Sequence, residues 1–271
     1  MAGKSAIEWT ENSWNPVTGC TQVSPGCDRC YAKRLVDVRQ VHNPRSPRYG
    51  HPFEEVMLHE ERLNQPSRWR SPKRIFVNSM SDLFHRDIRD EFINRVFDEM
   101  ESNERHVFQL LTKRADRMKH YVNRRFKTEP CPRHVWLGVS VENLDYTWRS
   151  EMLRKTNASI RWISAEPLLG SLADLDLGGI DWLVTGGESG PGARLMEADW
   201  VRELRDKCTA AGVAFFFKQW GGTRDKGGGE AAVLAGRRWL QYPVVRKRGV
   251  ASSGHLPEGR DKPTADARLA L

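Results

Sequence analysis

Three cysteines lie close together near the N-terminus, Cys20, Cys27 and Cys30, in a C-x6-C-x2-C arrangement. Thiolates are the soft ligands that zinc, copper(I) and iron–sulfur clusters prefer, so the residue type does not choose among these metals. A structural zinc usually takes four protein ligands, whereas a metal centre that must bind a substrate keeps one position open. Three thiolates therefore favour a reactive metal centre.

Two other interpretations of the cysteine triplet stay open. A structural zinc would take a fourth ligand from His42, His51 or Asp28. A cluster that only transfers electrons is the other interpretation. The two remaining cysteines lie far from the triplet, and we interpret Cys131 as an incidental loop thiol and Cys208 as a small core residue.

Composition narrows the class of protein. The chain has 271 residues, is 39% hydrophobic and contains five cysteines, an odd number that argues against a disulfide framework. No run approaches the roughly 18 apolar residues of a membrane helix, and the first residues do not form a signal peptide. We therefore expect a cytoplasmic protein with no membrane partner. A net charge of +8 favours a polyanionic partner such as a nucleic acid.

Short apolar runs rich in β-branched and aromatic residues alternate with helical patterns. Such runs are typical of strands buried on both faces of a parallel sheet. They lie at 74–78, 106–112, 134–141, 159–164, 181–185 and 213–218, with a short first strand predicted at 7–9. Crossover helices are predicted between these runs, one beginning near Asp90 with an apolar face from Phe92 to Met100, and one that Gly212 ends.

The alternation predicts an α/β fold, and we favour a partial (β/α) barrel of about six or seven mainly parallel strands over an open doubly wound sheet. The barrel would span residues 1–243, with an irregular insertion around 39–72 that contains one helix near 53–63. Residues 244–271 would form a flexible tail, because they carry little apolar content.

Polar residues follow nearly every predicted strand. Because active sites of such folds lie at the carboxyl ends of the strands, these groups should converge at one mouth with the cysteines. The residues concerned include Ser79, Ser81, Asp82, Thr112, Lys113, Arg114, Ser140, Glu142, Ser164, Glu166, Gly186, Gly187, Glu188, Lys218 and Gln219. Lys113, Arg114 and Lys218 could hold a phosphate or a carboxylate there.

Several motifs carry a resemblance to a known family. They are WNPVTGC at 14–20, SPGCDRCYA at 24–32, NSMSDLF at 78–84, GVSVEN at 138–143, SAEPLL at 164–169 and GGESG at 186–190. The chain resembles an uncharacterised family whose members are described as phage-related, and that family is similar to radical S-adenosylmethionine (SAM) enzymes. The common radical SAM pattern is C-x3-C-x2-C with an aromatic residue before the third cysteine. Here the first gap has six residues, and Tyr31 follows Cys30.

The resemblance implies a set of cofactor ligands. Cys20, Cys27 and Cys30 would each bind one iron of a [4Fe-4S] cluster, and the fourth iron would take the amino and carboxylate groups of SAM. One-electron reduction would then cleave SAM to methionine and a 5′-deoxyadenosyl radical. The other strand-end residues would serve this chemistry: Ser79, Ser81 and Asp82 at the methionine moiety, Ser140 and Glu142 at the ribose, Gly186 and Gly187 close to the cofactor, and Glu166, Glu188 and Lys218 as catalytic groups.

The function expected from these features is that of a radical SAM enzyme. Its substrate is unidentified, with a nucleic acid or nucleotide favoured by the basic charge. A reductant such as ferredoxin or flavodoxin would be a partner, and a partner enzyme is a further option. The alternative is a zinc- or cluster-containing nucleic-acid-binding protein without catalytic activity.

Overall fold

The computed structural model describes residues 3–223 and 228–244. The tail predicted over 244–271 therefore lies outside the described residues, apart from Val244. None of the described helices is long and apolar enough to cross a membrane.

One sheet of eight strands dominates the described chain, with a small second sheet beside it. The strands in chain order are β1 (Gly3–Lys4), β2 (Asn12–Trp14), β3 (Val17–Thr18), β4 (Met57–Leu58), β5 (Arg74–Val77), β6 (Val107–Thr112), β7 (Cys131–Ser140), β8 (Ala158–Ala165), β9 (Trp182–Gly186) and β10 (Ala214–Gln219). The main sheet has the order β1-β2-β5-β6-β7-β8-β9-β10. Its seven strands from β2 onwards are parallel, and only β1 is antiparallel to its neighbour. Strands β3 and β4 pair antiparallel in the second sheet.

Helices cover the outer face of the sheet, and the longer ones follow the apolar periodicity of the sequence. They are α1 (Tyr31–Leu35), which continues as a π-helical turn over Val36–Gln40, α2 (Asp90–Glu101), α3 (Ala115–Arg125), α4 (Trp148–Arg154) and α5 (Ala198–Ala211). The predicted apolar face of α2 is buried. Gly212 ends α5 in the left-handed conformation at φ 67°, which glycine adopts without steric cost.

The parallel sheet is strongly curled around one tryptophan. Strands β5 and β9 are four strand spacings apart, which would be about 19 Å in a flat sheet. Yet the Trp9 ring lies 4.8 Å from the ring of Phe76 on β5, 5.3 Å from Trp162 on β8 and 6.0 Å from Trp182 on β9. The predicted α/β partial barrel is therefore confirmed.

The strand predicted at 7–9 is wrong. These residues form a turn, and the first parallel strand is β2, which pairs with β5. The apolar character of Trp9 reflects a different role, because its side chain is buried inside the barrel among Phe76, Trp162 and Trp182. Over only three residues, one buried aromatic side chain and a short strand produce the same apolar pattern.

The helix predicted near 53–63 is also wrong. The insertion contains β4 and two 3-10 turns, Glu60–Arg62 and Pro66–Arg68. The buried Arg48 guanidinium donates hydrogen bonds to the carbonyl oxygens of Glu55 (2.8 Å) and Pro52, and these contacts hold the segment in an irregular turn. The insertion also has a structural role, since the Phe53 carbonyl accepts a 2.9 Å hydrogen bond from the Cys20 amide.

Candidate active site

A cavity of about 270 Å³ opens among the carboxyl ends of the strands. All three cysteines of the triplet line it, as the sequence predicts. The predicted site residues that also line it are Ser79, Ser81, Asp82, Ser140, Glu166, Gly187, Glu188 and Lys218, whereas Glu142 and Gly186 lie outside the lining.

The cysteine loop is fixed to the barrel where it begins. The Gly19 amide donates a 3.0 Å hydrogen bond to the Met80 carbonyl, just beyond the end of β5. Gly19 has φ 92°, and a Cβ at this position would lie 2.1 Å from the Glu55 carbonyl oxygen. Only glycine therefore allows the loop to pass between the barrel and the insertion.

Cys20 and Cys30 are partly buried, and this burial is the main reason why the pKa values of their thiols are raised. The pKa of Cys20 rises to about 11, although the Arg114 guanidinium opposes the rise. At Cys30, which precedes α1, hydrogen bonds from the Lys33 and Ala32 amides oppose the rise in pKa. A coordinating metal deprotonates a thiol outright, so these donors would stabilise the sulfurs once a metal binds.

Asp82 holds the cation that contacts Cys20. Its Oδ2 accepts a 3.0 Å hydrogen bond from Arg114 Nη1, and that nitrogen also lies 3.4 Å from Cys20 Sγ. Arg114 Nη2 donates to the Thr21 carbonyl at 2.9 Å. Asp82 Oδ1 accepts from Thr112 Oγ1 at 2.7 Å, so protein donors engage both of its oxygens. Asp82 thus positions Arg114 against the cysteine loop.

Glu142 holds the middle of the loop from behind the cavity wall. Its carboxylate is fully buried and accepts hydrogen bonds from Ser24 Oγ (2.7 Å), Arg149 Nη1 (2.8 Å) and Lys113 Nζ. Burial opposes its ionisation, but Lys113 and Arg149 hold its pKa below the ordinary value. A Cβ on Gly26 would lie 2.5 Å from Glu142 Oε1, so the loop packs directly on this carboxylate.

Glu188 anchors the loop from the end of β9 through an arginine. Arg194 Nε donates to Glu188 Oε2 at 3.0 Å, and Arg194 Nη2 donates to the Pro25 carbonyl at 2.8 Å. Arg194 Nη1 also lies 3.4 Å from Asp28 Oδ2. Burial opposes ionisation of Glu188, but hydrogen bonds from Arg194 lower its pKa below the ordinary value. The ionised Glu188 carboxylate, which Arg194 joins to the Pro25 carbonyl, is therefore suited to holding the loop in place.

Glu166 and Lys218 form an ion pair in the cavity lining, with Lys218 Nζ 2.8 Å from Glu166 Oε1. Their side chains stay partly exposed, at 13% for Glu166 and 17% for Lys218. Ser164 Oγ lies 3.3 Å from Glu166 Oε2. Of the predicted catalytic groups, this pair is the one placed to touch a bound molecule.

The remaining residues predicted to contact the cofactors differ in their hydrogen bonds and packing within the protein. Ser81 Oγ donates to the Val17 carbonyl at 3.0 Å, and Ser79 Oγ exchanges hydrogen bonds with Asn15. Ser140 lines the cavity and is buried. A Cβ on Gly187 would lie 2.0 Å from the Trp220 carbonyl oxygen, so this glycine serves close packing of two backbone segments.

Sequence reasoning missed two residues of this site. Arg149 and Arg194 hold the loop acids, but each lies on a segment with no motif of its own, so nothing in the sequence distinguishes them from surface arginines. Asn78 lines the cavity with φ 60°, and the residue is 3% exposed. As the sequence predicts from its position at a strand end, Asn78 thus lies at the mouth of the barrel.

The described residues offer no ready site for a single metal ion. Among residues 3–223 and 228–244, no three His, Cys, Asp or Glu side chains converge as the ligands of one ion must. Two suggested zinc ligands are engaged elsewhere: His51 Nδ1 lies 2.8 Å from Glu55 Oε1, and Asp28 contacts Arg194.

The fold and site define an α/β partial barrel with a three-cysteine loop anchored over a cavity at its carboxyl end. The chain belongs to the family DUF5131, described as a protein of unknown function, whose model matches residues 4–262. The predicted membership of an uncharacterised family is thereby confirmed, while its connection with phages stays a prediction. No curated protein matches the sequence.

Three solved structures of spore photoproduct lyase are similar in fold. The complex with dinucleoside spore photoproduct has a TM-score of 0.47 and 13% identity, over 76% of this chain and 63% of that chain. A cysteine-to-serine mutant has a TM-score of 0.47 and 14% identity, over 69% and 58% of the two chains. This chain thus spans about three fifths of their length. Similarity at these values does not carry function from one protein to the other.

Proposed function

We propose that this protein is a radical SAM enzyme with a [4Fe-4S] cluster on Cys20, Cys27 and Cys30. The observation that carries the proposal is the anchored loop: three thiols of one loop line a single cavity, and charged groups from the strand ends hold that loop in place. The donor set fits such a cluster, because its three thiolates bind three different irons and need not converge on one point. A single zinc ion would need convergence.

The residues around the cavity have separate roles in this proposal. The three cysteines bind the cluster, and Arg114 supplies a hydrogen bond and a positive charge at Cys20. Ser140, Glu166 and Lys218 face the cavity and would orient SAM or substrate. When bound and reduced, the cluster supplies the electron that cleaves SAM to methionine and a 5′-deoxyadenosyl radical.

The acids that hold the loop are positioning residues in this proposal. Asp82, Glu142 and Glu188 keep the cysteines in place through Arg114, Lys113, Arg149 and Arg194. These assignments replace the methionine contact expected of Asp82, the ribose contact expected of Glu142 and the catalytic role expected of Glu188, because protein donors engage all three carboxylates.

Partners are proposed on chemical grounds. Cleavage of SAM needs a one-electron donor, for which ferredoxin or flavodoxin is suited. The net charge of +8 supports a nucleic acid or nucleotide as the substrate class. Binding of a nucleic acid measured over a salt series tests this part, and we expect affinity to fall steeply as salt rises.

Anaerobic reconstitution with iron and sulfide tests the proposed function. We expect about four irons and four sulfides per chain. Reduction in the presence of SAM should then release methionine and 5′-deoxyadenosine. One tightly held zinc per chain in freshly purified protein, with no cleavage of SAM, would contradict the proposal.

Substitution of Arg114 should change the reduction potential of the cluster. Removing a positive charge beside Cys20 favours the oxidised, less negative cluster, so Arg114→Gln should lower the potential by about 60 mV, the equivalent of tenfold in a one-electron equilibrium. A redox titration followed by EPR measures the shift. Arg117→Gln is the control, since Arg117 pairs with Asp90. Equal potentials for wild type and Arg114→Gln would exclude the effect.

A further inference from the structure

The cations that line the cavity already form ion pairs within the protein. Each has a carboxylate partner: Lys113 with Glu142, Arg114 with Asp82 (3.0 Å), Lys218 with Glu166 (2.8 Å), Lys33 with Asp37 (2.7 Å), and Arg29 with Glu188 (3.8 Å). A phosphate of the substrate would therefore compete with these carboxylates for the same cations. The group that the cavity takes from a substrate is therefore best uncharged.

One side of the cavity carries polar atoms that lack a protein partner. Both amide atoms of Asn78, Nδ2 and Oδ1, are buried without a hydrogen bond, and so is Trp9 Nε1. Both residues line the cavity. Buried polar groups are almost always hydrogen-bonded, so an amide left with a free donor and a free acceptor indicates a missing partner.

The backbone holds the Asn78 side chain at this place. Its amide N–H donates a 2.8 Å hydrogen bond to the Trp14 carbonyl, and its φ of 60° lies in the left-handed region. Few residues other than glycine adopt that conformation, and asparagine is among them.

Apolar side chains line the same cavity as the free amide. Phe76, Trp9, Leu111 and Ile7 belong to the same lining, and the rings of Phe76 and Trp9 lie 4.8 Å apart. An amide pairs in a bidentate manner with a base edge that presents a donor beside an acceptor, and aromatic rings contact the faces or edges of such a base. Sugars and fatty chains lack one or other of these features.

We propose that the Asn78 side of the cavity binds the nucleobase of the substrate, at a subsite separate from that of SAM. This inference rests on the proposed function, because it assigns the substrate class of the same cavity. Asn78 would hydrogen-bond the base edge, and Trp9 would supply a further donor. Because the cations of the cavity lining already form ion pairs, any phosphate of the substrate would lie outside the cavity.

Equilibrium dialysis with nucleosides tests the subsite. The full-length, cluster-loaded protein is dialysed against adenosine, guanosine, cytidine or thymidine, each with saturating SAM. We expect at least one nucleoside to bind. Asn78→Gly should weaken that binding about tenfold, the loss of roughly one net hydrogen-bond contribution. Glycine suits the φ of 60°, so iron content and melting temperature should stay unchanged.

A second pair of variants shows whether weaker binding comes from the lost amide or from a folding defect. Asn78→Asp keeps the shape of the side chain but loses the amide donor, and should also weaken nucleoside binding. Asn103→Asp is the matched control, because the Asn103 amide donates to the Glu99 carbonyl at 2.8 Å, away from the cavity lining. It should bind nucleosides as wild type does.

Three results would overturn the inference: no nucleoside binds, the Asn78 variants bind as wild type does, or SAM competes with the nucleoside. Competition would assign the Asn78 amide to the adenine of SAM. Dialysis of the wild-type protein without SAM, before and after reconstitution, separates the two proposals. Asn78-dependent nucleoside binding by a wild-type chain that assembles no cluster and cleaves no SAM would leave the subsite standing while the proposed function fails.

Discussion

Cys27→Ala is expected to abolish cluster assembly. Among the residues that the structure describes, the three thiols of the loop are the only cysteines in the cavity lining, and loss of one leaves two thiolates for four irons. Iron after anaerobic reconstitution should fall from about four per chain to less than about one. Iron and sulfide analysis, with the visible absorption spectrum, measures the change.

Cys208→Ala is the matched control for this prediction. Cys208 is buried on α5, and burial raises the pKa of its thiol to about 12, so it is an inert core residue. Its variant should load iron as wild type does. Equal iron in Cys27→Ala and wild type, or equal loss in both variants, would show that the loop cysteines do not hold the cluster.

Glu142→Gln should strongly destabilise the protein. The substitution leaves Lys113 and Arg149 without their buried counter-charge, and breaking a buried ion pair in this way costs about 3–5 kcal/mol. It also weakens the hydrogen bond that Ser24 donates, so iron loading should fall with stability. Denaturant unfolding measures the free energy. Glu151→Gln, on the exposed side of α4, should change it by less than about 0.5 kcal/mol.

The same carboxylate predicts an acid dependence of stability. Because Lys113 and Arg149 lower the pKa of Glu142 in the folded state, its contribution is fully present above the ordinary value of 4.5 and is lost as pH falls through the lower folded pKa. Unfolding curves measured from neutral pH down through this range should lose less stability in Glu142→Gln than in wild type. Parallel losses in the two proteins would contradict the role given to Glu142.

The periodicity of the sequence was enough to predict most of the barrel. Six apolar runs correspond to β5 through β10, because strands buried on both faces are apolar throughout. The same rule failed at 7–9, where Trp9 fills the barrel interior. It could not describe the insertion, where single contacts such as Arg48 with the Glu55 carbonyl determine the backbone.

The sequence predicts that these acidic residues converge at one site. It does not predict which of them face the cavity and which hold the cysteine loop. Strand order brings Asp82, Glu142, Glu166 and Glu188 to one end of the barrel, as the sequence indicates. Whether a carboxylate faces the cavity or holds an arginine depends on distant partners. Glu188 and Arg194 are only six residues apart in the sequence. The contact that anchors the cysteine loop, however, joins Arg194 to the distant Pro25. Pairings of that kind become visible only in three dimensions.

The EPR spectrum of the reduced, reconstituted protein, recorded with and without SAM, tests the central claim most directly. The account predicts a reduced [4Fe-4S] signal that changes when SAM is added, because the three cysteines leave one iron open to bind it. A cluster signal that SAM leaves unchanged, in a protein that also fails to cleave SAM, would contradict the account.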